Sequence, residues 1–301
     1  MDRLIVGICG TGRMGSAIAE RLLEAGAEVH VWNRDAAKTE PLAARGAVVE
    51  ATPGDLARAC GTVITILFDG AAVDAVYRGP DGLLAGAGPD TLFIEMSTTG
   101  HEVSQGLDAD VRAAGAALIE CPVGGTVGPA RAGQLLGLVG GEPADVERAR
   151  PVLDLLCRRV EHAGPVGAGA RLKLAVNLPL LVYWAALGEA LALVAELDIP
   201  PERLVDLMAD TSGAAAVLKR RVPDLTSLLA DATQPATSFG VHGAAKDLGL
   251  MVEAAESDKG SSPVAAAAWK TFREASEQGF ADADALAIAG LGYLRRRGTG
   301  G

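Results

Sequence analysis

Short apolar runs alternate with helical patterns through the first half of the chain. The runs are aliphatic or β-branched, as buried strands usually are, and they cover residues 4–9, 28–32, 63–67 and 91–95. Helical spacing of apolar positions lies between and after them, at 13–25, 53–59 and 102–114. Strand and helix in repetition predict a parallel sheet with helices on both faces.

The pattern changes at residues 164–169, Gly-Pro-Val-Gly-Ala-Gly, which interrupt regular structure. Beyond them we predict helices only, at 170–197, 201–209, 214–220, 240–256, 261–277 and 282–294. The predicted fold class is therefore α/β, an N-terminal Rossmann-type doubly wound sheet followed by an all-α C-terminal domain. We place a dinucleotide-binding domain at residues 1–163 and a substrate and dimerisation domain at residues 164–301. The cleft between the two is the expected ligand site.

The most apolar stretch of the chain, residues 172–197, predicts a buried helix. Lys173, Asn177 and Glu189 interrupt it, which argues against a membrane span. The helix should bury a stripe of large apolar side chains, formed by Leu180, Trp184, Leu187 and Leu191.

A glycine-rich motif with the spacing G-x-G-x-x-G follows the first predicted strand and opens the first predicted helix. In that context the motif binds a dinucleotide. Gly10 permits a tight turn, Gly12 lets the backbone approach the pyrophosphate, and Gly15 lets helix and strand pack closely. We predict that the cofactor phosphates contact Gly10, Thr11, Gly12, Arg13, Met14 and Gly15.

The end of the second strand predicts NADP rather than NAD. An NAD site usually has Asp or Glu there to bind the ribose 2′-hydroxyl, but this chain has Asn33 and Arg34. A guanidinium binds a 2′-phosphate with its fork of donors, and Lys38 adds positive charge one helical turn later. The alternative is that Arg34 only stacks on the adenine.

A lysine at the start of the long apolar helix is the candidate proton-transfer group. The cofactor carries the hydride chemistry, so the protein must orient the substrate and supply or accept one proton. Lys173 and Asn177 are four residues apart and share one helix face. An apolar wall lowers the pKa of a lysine towards neutrality, which suits it to proton transfer. The alternative is a lysine whose ammonium group reaches the surface.

Four segments, in order along the chain, resemble the β-hydroxyacid dehydrogenases, the family of 3-hydroxyisobutyrate dehydrogenase that is related to 6-phosphogluconate dehydrogenase. Residues 10–15 resemble the family's G-x-G-x-M-G, and residues 120–126 (E-C-P-V-G-G-T) resemble its D-A-P-V-S-G-G substrate loop. Residues 167–177 resemble its G-x-G-x-x-x-K-x-x-N-N catalytic helix, and residues 246–248 resemble its K-D-L motif. Together these segments span nearly the whole chain.

The resemblance implies a reaction and a role for each matching residue. Lys173 would be the general acid that protonates the carbonyl oxygen in reduction and the base in oxidation, and Asn177 would position the substrate. The expected reaction interconverts a small hydroxy acid and its aldehyde or keto acid. The substrate carboxylate would be bound by Gly124, Gly125 and Thr126, and the cofactor would be lined by Leu67, Thr98 and Lys246.

Three positions depart from the family pattern. Gly124 stands where the family has Ser and Thr126 where it has Gly, so one hydroxyl has moved two positions along the loop. The loop also resembles the P-V-G-x-T loop of sulfolactaldehyde reductases, but Gly125 replaces their Arg, which argues against a sulfonate substrate. Pro179 stands within the predicted helix, where it predicts a kink just after Asn177.

Two other functions stay open at the level of sequence. Imine reductases share the two-domain plan but commonly have Asp or Tyr in place of Lys173. A non-catalytic NADP-binding protein on the same fold should have lost Lys173 or Asn177. Both residues are present, which favours the hydroxy-acid enzyme.

Composition and charge narrow the expected partners. The net charge of -11 argues against nucleic acid and anionic membranes, so we expect a small carboxylate-bearing substrate. The N-terminus lacks a signal-peptide pattern, and we expect a cytoplasmic protein. The family resemblance implies a homodimer or a higher homo-oligomer.

Cysteines and histidines predict no further chemistry. The cysteines are scattered, so we expect reduced, buried thiols at Cys9, Cys60, Cys121 and Cys157. The histidines lack ligand spacing, so we predict no metal site at His30, His101, His162 or His242.

Overall fold

The structure, a computed structural model, describes residues 3–298. It divides into two compact units, the first ending at Lys173 and the second beginning at Leu174. The first, which we call the sheet unit, is a sheet covered by helices, and the second, the helical unit, consists of helices. The fold class predicted from the sequence is therefore confirmed.

The sheet unit alternates strands and helices along the chain. Its strands are β1 (Ile5–Cys9), β2 (Glu28–Trp32), β3 (Val48–Val49), β4 (Thr62–Thr65), β5 (Leu92–Glu95), β6 (Ala117–Glu120), β7 (Val123–Gly124), β8 (Leu135–Gly140) and β9 (Cys157–Gly164). Its helices are α1 (Arg13–Glu24), α2 (Glu40–Ala43), α3 (Pro53–Ala59), α4 (Gly70–Arg78), α5 (Leu83–Gly86), α6 (His101–Ala113), α7 (Val127–Arg131) and α8 (Pro143–Leu156), with a 3₁₀ turn at Ala36–Thr39.

The first six strands are parallel and lie in the order β3-β2-β1-β4-β5-β6, and β8 then pairs antiparallel with β6. The chain changes direction across the sheet between β1 and β4. Ligands of open α/β sheets bind at the carboxyl ends of the strands beside this point. The last residues of β1, β4, β5 and β6 pair in one row, Cys9, Thr65, Glu95 and Glu120.

Burial on both faces explains why these strands read as continuous apolar runs. Successive side chains of a strand point to opposite faces. Accordingly, Ile64 packs in the core cluster on one face, with Ile8 and Ile18, and Val63 packs in the cluster on the other, with Leu56. All four cysteines are free thiols and buried, as predicted.

The helical unit contains one helix that the sequence analysis missed. The helices are α9 (Ala168–Leu193), which begins in the sheet unit, then α10 (Pro201–Ala209), α11 (Ala216–Arg220), α12 (Val222–Asp231), α13 (Val241–Ser257), α14 (Pro263–Ala275) and α15 (Ala287–Arg296), with a π-helical turn at Ser276–Phe280. The missed helix is α12. Its proline near the N-terminus and its buried Leu225, Leu228 and Leu229 were readable signals.

The long helix α9 continues through Pro179 to Leu193, so the proline does not end it. A proline has no N–H group to donate to the carbonyl four residues earlier, which belongs to Ala175. Ala175 is exposed, so water can reach that side of the helix and satisfy its carbonyl. The predicted apolar stripe is largely buried, with Trp184, Leu187 and Leu191 inside and Leu180 partly covered.

Within residues 3–298, α9 is also the one helix long and apolar enough to cross a membrane, judged by length and composition alone. A core helix of a soluble protein passes the same test, so this is weak evidence. About a third (33%) of its most apolar 18-residue window is buried inside the protein. Several of its other apolar residues, among them Leu178, Val182 and Tyr183, are partly buried and pack against the core of the helical unit.

A buried carboxylate joins distant segments of the helical unit. Asp284 is 2% exposed. It accepts hydrogen bonds from the N–H and hydroxyl groups of Ser238, both at 2.7 Å, and from the N–H group of Leu286 at 3.0 Å. Arg221 Nη2 lies 3.1 Å from it. Three segments of chain, around residues 221, 238 and 284–286, thus meet at one side chain.

Candidate active site

The glycine-rich loop joins β1 to α1 at the switch point of the sheet. Gly10 has φ +100°, a conformation that favours glycine, and a Cβ there would lie 2.5 Å from the carbonyl oxygen of Ile66. A Cβ on Gly15 would lie 1.8 Å from the carbonyl oxygen of Gly10, so α1 packs directly on the loop. A Cβ on Gly12, in contrast, would meet no described atom within 4 Å. The loop therefore has open space at its middle glycine.

The N-terminus of α1 borders this open space. The helix begins at Arg13 with Gly12 as its N-cap, and no described side chain caps it or places an acid in its first turn. The leading N–H groups of a helix carry partial positive charge and bind phosphates. The exposed Gly12 and the uncapped helix end fit the pyrophosphate of a dinucleotide.

Thr11 and Asn33 hold the loop in shape. The Thr11 N–H group donates to Asn33 Oδ1 at 3.0 Å, and the Thr11 hydroxyl donates to the carbonyl of Lys38 at 3.2 Å. Asn33 Nδ2 donates to the carbonyl of Asp35 at 2.9 Å. The side chains of both residues therefore bond within the protein and tie the loop to the segment after β2.

The two basic residues of that segment face solvent. Arg34 and Lys38 are both exposed, and they follow the strand whose end lies beside the glycine-rich loop in the sheet. Their positive charges are therefore accessible to an anionic group bound at the carboxyl ends of β1 and β2.

A buried carboxylate links the loops that follow β4 and β5. Glu95 is 2% exposed. Its Oε1 accepts the N–H group of Ser97 at 2.7 Å, and its Oε2 accepts the Thr65 hydroxyl. The Ser97 hydroxyl oxygen in turn accepts the N–H group of Leu67 at 2.7 Å. Burial raises the pKa of Glu95 to about 7, against the effect of these hydrogen bonds. This network fixes the segment that carries Leu67 and the half-buried Thr98.

The predicted substrate loop follows β6. Gly125 has φ +124°, and a Cβ there would lie 2.9 Å from Leu135 Cδ2, so this backbone conformation favours glycine. Thr126, half-buried, is the N-cap residue of α7. A Cβ on Gly124 would lie 3.4 Å from the side chain of Leu136, an ordinary contact. The serine that the family has at this position would therefore fit.

The structure brings Lys173 to this loop. Lys173 is 8% exposed, and its Nζ donates to the carbonyl of Val123 at 2.8 Å. The alternative of a lysine that reaches the surface is therefore wrong. The ammonium group of Lys173 therefore contacts Val123, the residue immediately before Gly124 of the predicted substrate loop.

Glu120, which ends β6, contacts the start of α9. It is 1% exposed. Its Oε1 accepts three backbone N–H groups, from Gly167 at 2.6 Å, Gly169 at 2.8 Å and Ala170 at 3.2 Å. Burial raises the pKa of Glu120 above its ordinary value, although these hydrogen bonds oppose the rise. A Cβ on Gly140 would lie 2.3 Å from the same oxygen, so Gly140 leaves room for the carboxylate.

In the helical unit, Asp247 brings two predicted site residues together. Asp247 is 2% exposed. Its Oδ2 accepts Asn177 Nδ2 at 3.1 Å, and its Oδ1 lies 3.0 Å from Lys246 Nζ. The aspartate thus orients an amide and an ammonium group at once.

Sequence reasoning missed the buried acids and Ser97. Glu95 and Glu120 each end an apolar strand, which was a readable signal, because a charged residue at the carboxyl end of a buried parallel strand faces the ligand-binding edge. Asp247 lies within the K-D-L motif beside Lys246, but only the lysine was given a role. No sequence pattern around Ser97 indicated that it would contact the loop after β4.

The histidines have neighbours within the protein. His101 Nε2 lies 2.9 Å from Arg171 Nη2, and His30 bonds Glu50 at 2.6 Å. Over the described range 3–298, no group of three or more His, Cys, Asp and Glu side chains could hold a metal ion.

Comparison with known proteins places the chain in a family. Residues 5–164 match the NAD-binding domain of 6-phosphogluconate dehydrogenase, and residues 167–291 match the NAD-binding domain of NADP-dependent 3-hydroxyisobutyrate dehydrogenase. The 3-hydroxyisobutyrate dehydrogenase of Pseudomonas aeruginosa is 35% identical over 89% of this chain and 90% of its own length. The NAD-dependent L-serine dehydrogenase of the same organism is 32% identical over 93% and 94%.

A solved structure has the same fold as this chain. The complex of Psf3 with NADP+ and 2-OPP has a TM-score of 0.84 and 30% identity, and the match covers 94% of this chain and 98% of Psf3. The two family models together span residues 5–164 and 167–291, and the solved structure matches nearly the whole chain. The chain belongs to the β-hydroxyacid dehydrogenase family and is an NAD(P)-dependent oxidoreductase.

Proposed function

We propose that the protein is an NADP-preferring enzyme that interconverts a small hydroxy acid and its aldehyde or keto acid, with Lys173 as the general acid and base. The observation that carries this proposal is the buried ammonium group of Lys173 beside the 123–126 loop. Lysines are almost never fully buried without a partner. A nearly buried lysine at a loop of the ligand-binding edge is a functional-site candidate.

The proposed cofactor site consists of the glycine-rich loop and the exposed cations after β2. The N–H groups of residues 12–14 would hold the pyrophosphate, and Thr11 and Asn33 would keep the loop in shape. Arg34 and Lys38 would bind the 2′-phosphate of NADP, since both are solvent-exposed and no acid stands at position 33 or 34. When bound, the nicotinamide supplies or accepts the hydride.

Lys173 moves the proton. In reduction, Nζ donates a proton to the substrate carbonyl oxygen, and in oxidation it takes the proton from the hydroxyl group. An ammonium has three N–H donors, and the bond to the Val123 carbonyl fixes the direction of one of them. This anchoring limits the positions that Nζ can adopt.

The substrate and the nicotinamide end of the cofactor would be held by separate groups. The backbone N–H groups of Gly124 and Gly125 and the Thr126 hydroxyl would bind the substrate carboxylate. Asn177, oriented by Asp247, would position the reacting oxygen. The nicotinamide would be lined by Leu67, Thr98 and Lys246.

We also propose a cytoplasmic homodimer, or a higher homo-oligomer, in which α9 contributes to the interface. Val176 and Leu193 of this helix and Leu197 just after it are 44%, 81% and 49% exposed. The family resemblance implies such an assembly, and these exposed apolar side chains are available to a partner subunit. We assign cofactor binding to residues 1–163 and substrate binding and dimerisation to residues 164–301.

A substrate panel tests the reaction. The purified enzyme is assayed for NADPH and NADH oxidation with glyoxylate, small semialdehydes, a sulfonated aldehyde and a cyclic imine. We expect turnover with a carboxylate-bearing carbonyl compound, and a higher kcat/KM with NADPH. Turnover of the cyclic imine alone would favour an imine reductase. Cofactor binding without turnover of any compound would favour the non-catalytic alternative.

A further inference from the structure

Glu120 belongs to the sheet but binds the start of the helix that carries Lys173. The leading N–H groups of a helix have no partner within the helix, and a side chain from the helix's own N-cap usually binds one of them. Here the carboxylate comes from β6, nearly fifty residues earlier in the chain. Its Oε1 accepts the N–H groups of Gly167, Gly169 and Ala170 at 2.6, 2.8 and 3.2 Å.

These bonds are strong when Glu120 is ionised. Hydrogen bonds to an ionised group are roughly twice as strong as neutral ones, and the helix dipole favours negative charge at this end. The carboxylate is 1% exposed, so water does not compete for it. These contacts restrain both the translation of α9 along its axis and its rotation.

The same segment of chain holds α9 at a second point. Val123, three residues after Glu120, accepts the hydrogen bond from Lys173 Nζ at 2.8 Å. Lys173 lies one helical turn beyond Gly169 and Ala170. Segment 120–123 therefore contacts two consecutive turns of α9, the first through Glu120 and the second through the carbonyl beside the 124–126 loop.

We infer that Glu120 is a positioning residue for proton transfer, because it anchors the first turn of α9 and so keeps Lys173 Nζ at the Val123 carbonyl. This inference rests on the role of Lys173 proposed above. Glu120 does not exchange a proton with the substrate in this scheme. Glu120 affects the rate only because it determines the position of Lys173.

The variant Glu120→Gln tests the anchoring directly. Glutamine keeps the shape and one oxygen acceptor but removes the charge. We expect amide hydrogen exchange at residues 167, 169 and 170 to become about 5- to 10-fold faster than in the parent, since weaker bonds let the turn open more often. The matched control is Glu147→Gln on α8, where the exposed carboxylate pairs with Arg150. The control should leave these amides unchanged.

Kinetics and stability separate positioning from a structural role. Burial disfavours the ionised form of Glu120, so the neutral variant should resist urea at least as well as the parent at pH 8. On the best substrate of the panel, kcat should fall about 5- to 10-fold, since each 1.36 kcal/mol of barrier corresponds to tenfold in rate. The KM for NADPH should change less than about 2-fold, because the phosphate-binding loop is untouched.

Three outcomes would overturn the inference. They are unchanged exchange at residues 167, 169 and 170, unchanged kcat despite faster exchange, or a joint loss of kcat and urea resistance. The exchange measurement needs no substrate, so it stands even if the proposed reaction is not found. An enzyme without hydroxy-acid turnover would contradict the proposed function and the kinetic part of the inference, whereas the anchoring of α9 would be judged by exchange alone.

Discussion

Two buried carboxyl groups, one in each unit, have opposite electrostatic environments. Glu95 at the sheet edge is raised to a pKa of about 7 by burial, and Glu120 in the neighbouring strand adds to the rise. Burial acts on Asp284 in the helical unit too, but hydrogen bonds from Ser238 and Leu286 and the charge of Arg221 outweigh it, so its pKa lies below the ordinary value. The folded protein thus favours the protonated form of Glu95 and the ionised form of Asp284, each relative to an ordinary carboxyl group.

The difference separates a functional region from a structural one. Ionisable groups whose pKa is shifted from its ordinary value, with no opposite charge beside them, are typical of active sites. A carboxylate with a guanidinium and several N–H donors is typical of an element that holds a fold together. Changes at the sheet edge should therefore alter rate or pH behaviour, and changes at Asp284 should alter folding.

The largest effect is expected from Lys173→Ala. Loss of a general acid typically lowers the rate by about 10² to 10⁴-fold, so kcat should fall by that factor. NADPH affinity, measured by calorimetry, should stay within about 2-fold of the parent, because residues 10–15 are distant in sequence and unchanged. Lys270→Ala, at a side chain that is 71% exposed on α14, is the matched control. Parent-like turnover in Lys173→Ala would remove the proposed mechanism.

Asp284→Ala should show the reverse pattern. Removing one partner of a buried, hydrogen-bonded ion pair costs roughly 3 kcal/mol, so the free energy of unfolding by urea should drop by about that amount. The pKa of Asp284 is lowered in the folded state, so its stabilising effect is complete above the unfolded value near 4 and is lost as the pH falls below it.

The control for Asp284 is Asp231→Ala, where the exposed carboxylate accepts the N–H group of Thr233. This change should have a much smaller effect on unfolding. Equal destabilisation by the two substitutions would mean that the buried network around Asp284 contributes nothing special.

A solvent-exposed charge should affect cofactor choice rather than folding. Arg34→Ala should raise the KM for NADPH about 10-fold, since a charge-assisted contact contributes roughly 1.5 kcal/mol. The KM for NADH should change little, and urea resistance should stay the same. Equal changes in both KM values would show that Arg34 does not read the 2′-phosphate.

An effect confined to the pH dependence of stability is expected at Glu95. Its pKa rises from an ordinary 4.5 to about 7 on folding, so the folded state binds the proton more tightly. The parent should therefore lose stability as the pH rises through this window. Glu95→Gln, which stays neutral, should remove that part of the slope in urea unfolding between pH 5 and pH 8. An identical slope in parent and variant would contradict the raised pKa.

The site could be read from the sequence where its chemistry is local. The glycine motif, the catalytic-helix motif with Lys173 and the K-D-L segment are contiguous patterns, and the close contacts at Gly10 and Gly15 explain why two positions of the first motif are glycine. The sequence analysis gave no role to Glu120 or Asp247, because the partners of each are distant in sequence. Glu120 binds the start of α9 at Gly167, and Asp247 binds Asn177. The fold class followed from the alternation of strand and helix patterns, but α12 was missed although its N-terminal proline and the helical spacing of Leu225, Leu228 and Leu229 indicated it.

The sequence by itself determined the family, the fold class and the loop that can bind a dinucleotide, because those depend on local spacing and on runs of apolar residues. Only the tertiary structure decided that Lys173 is buried against Val123, that Asn33 ties down the glycine-rich loop, and that a strand-borne carboxylate caps the helix of the lysine. Such contacts join residues far apart in the chain. Their geometry follows from how strands and helices pack, which no single stretch of sequence records.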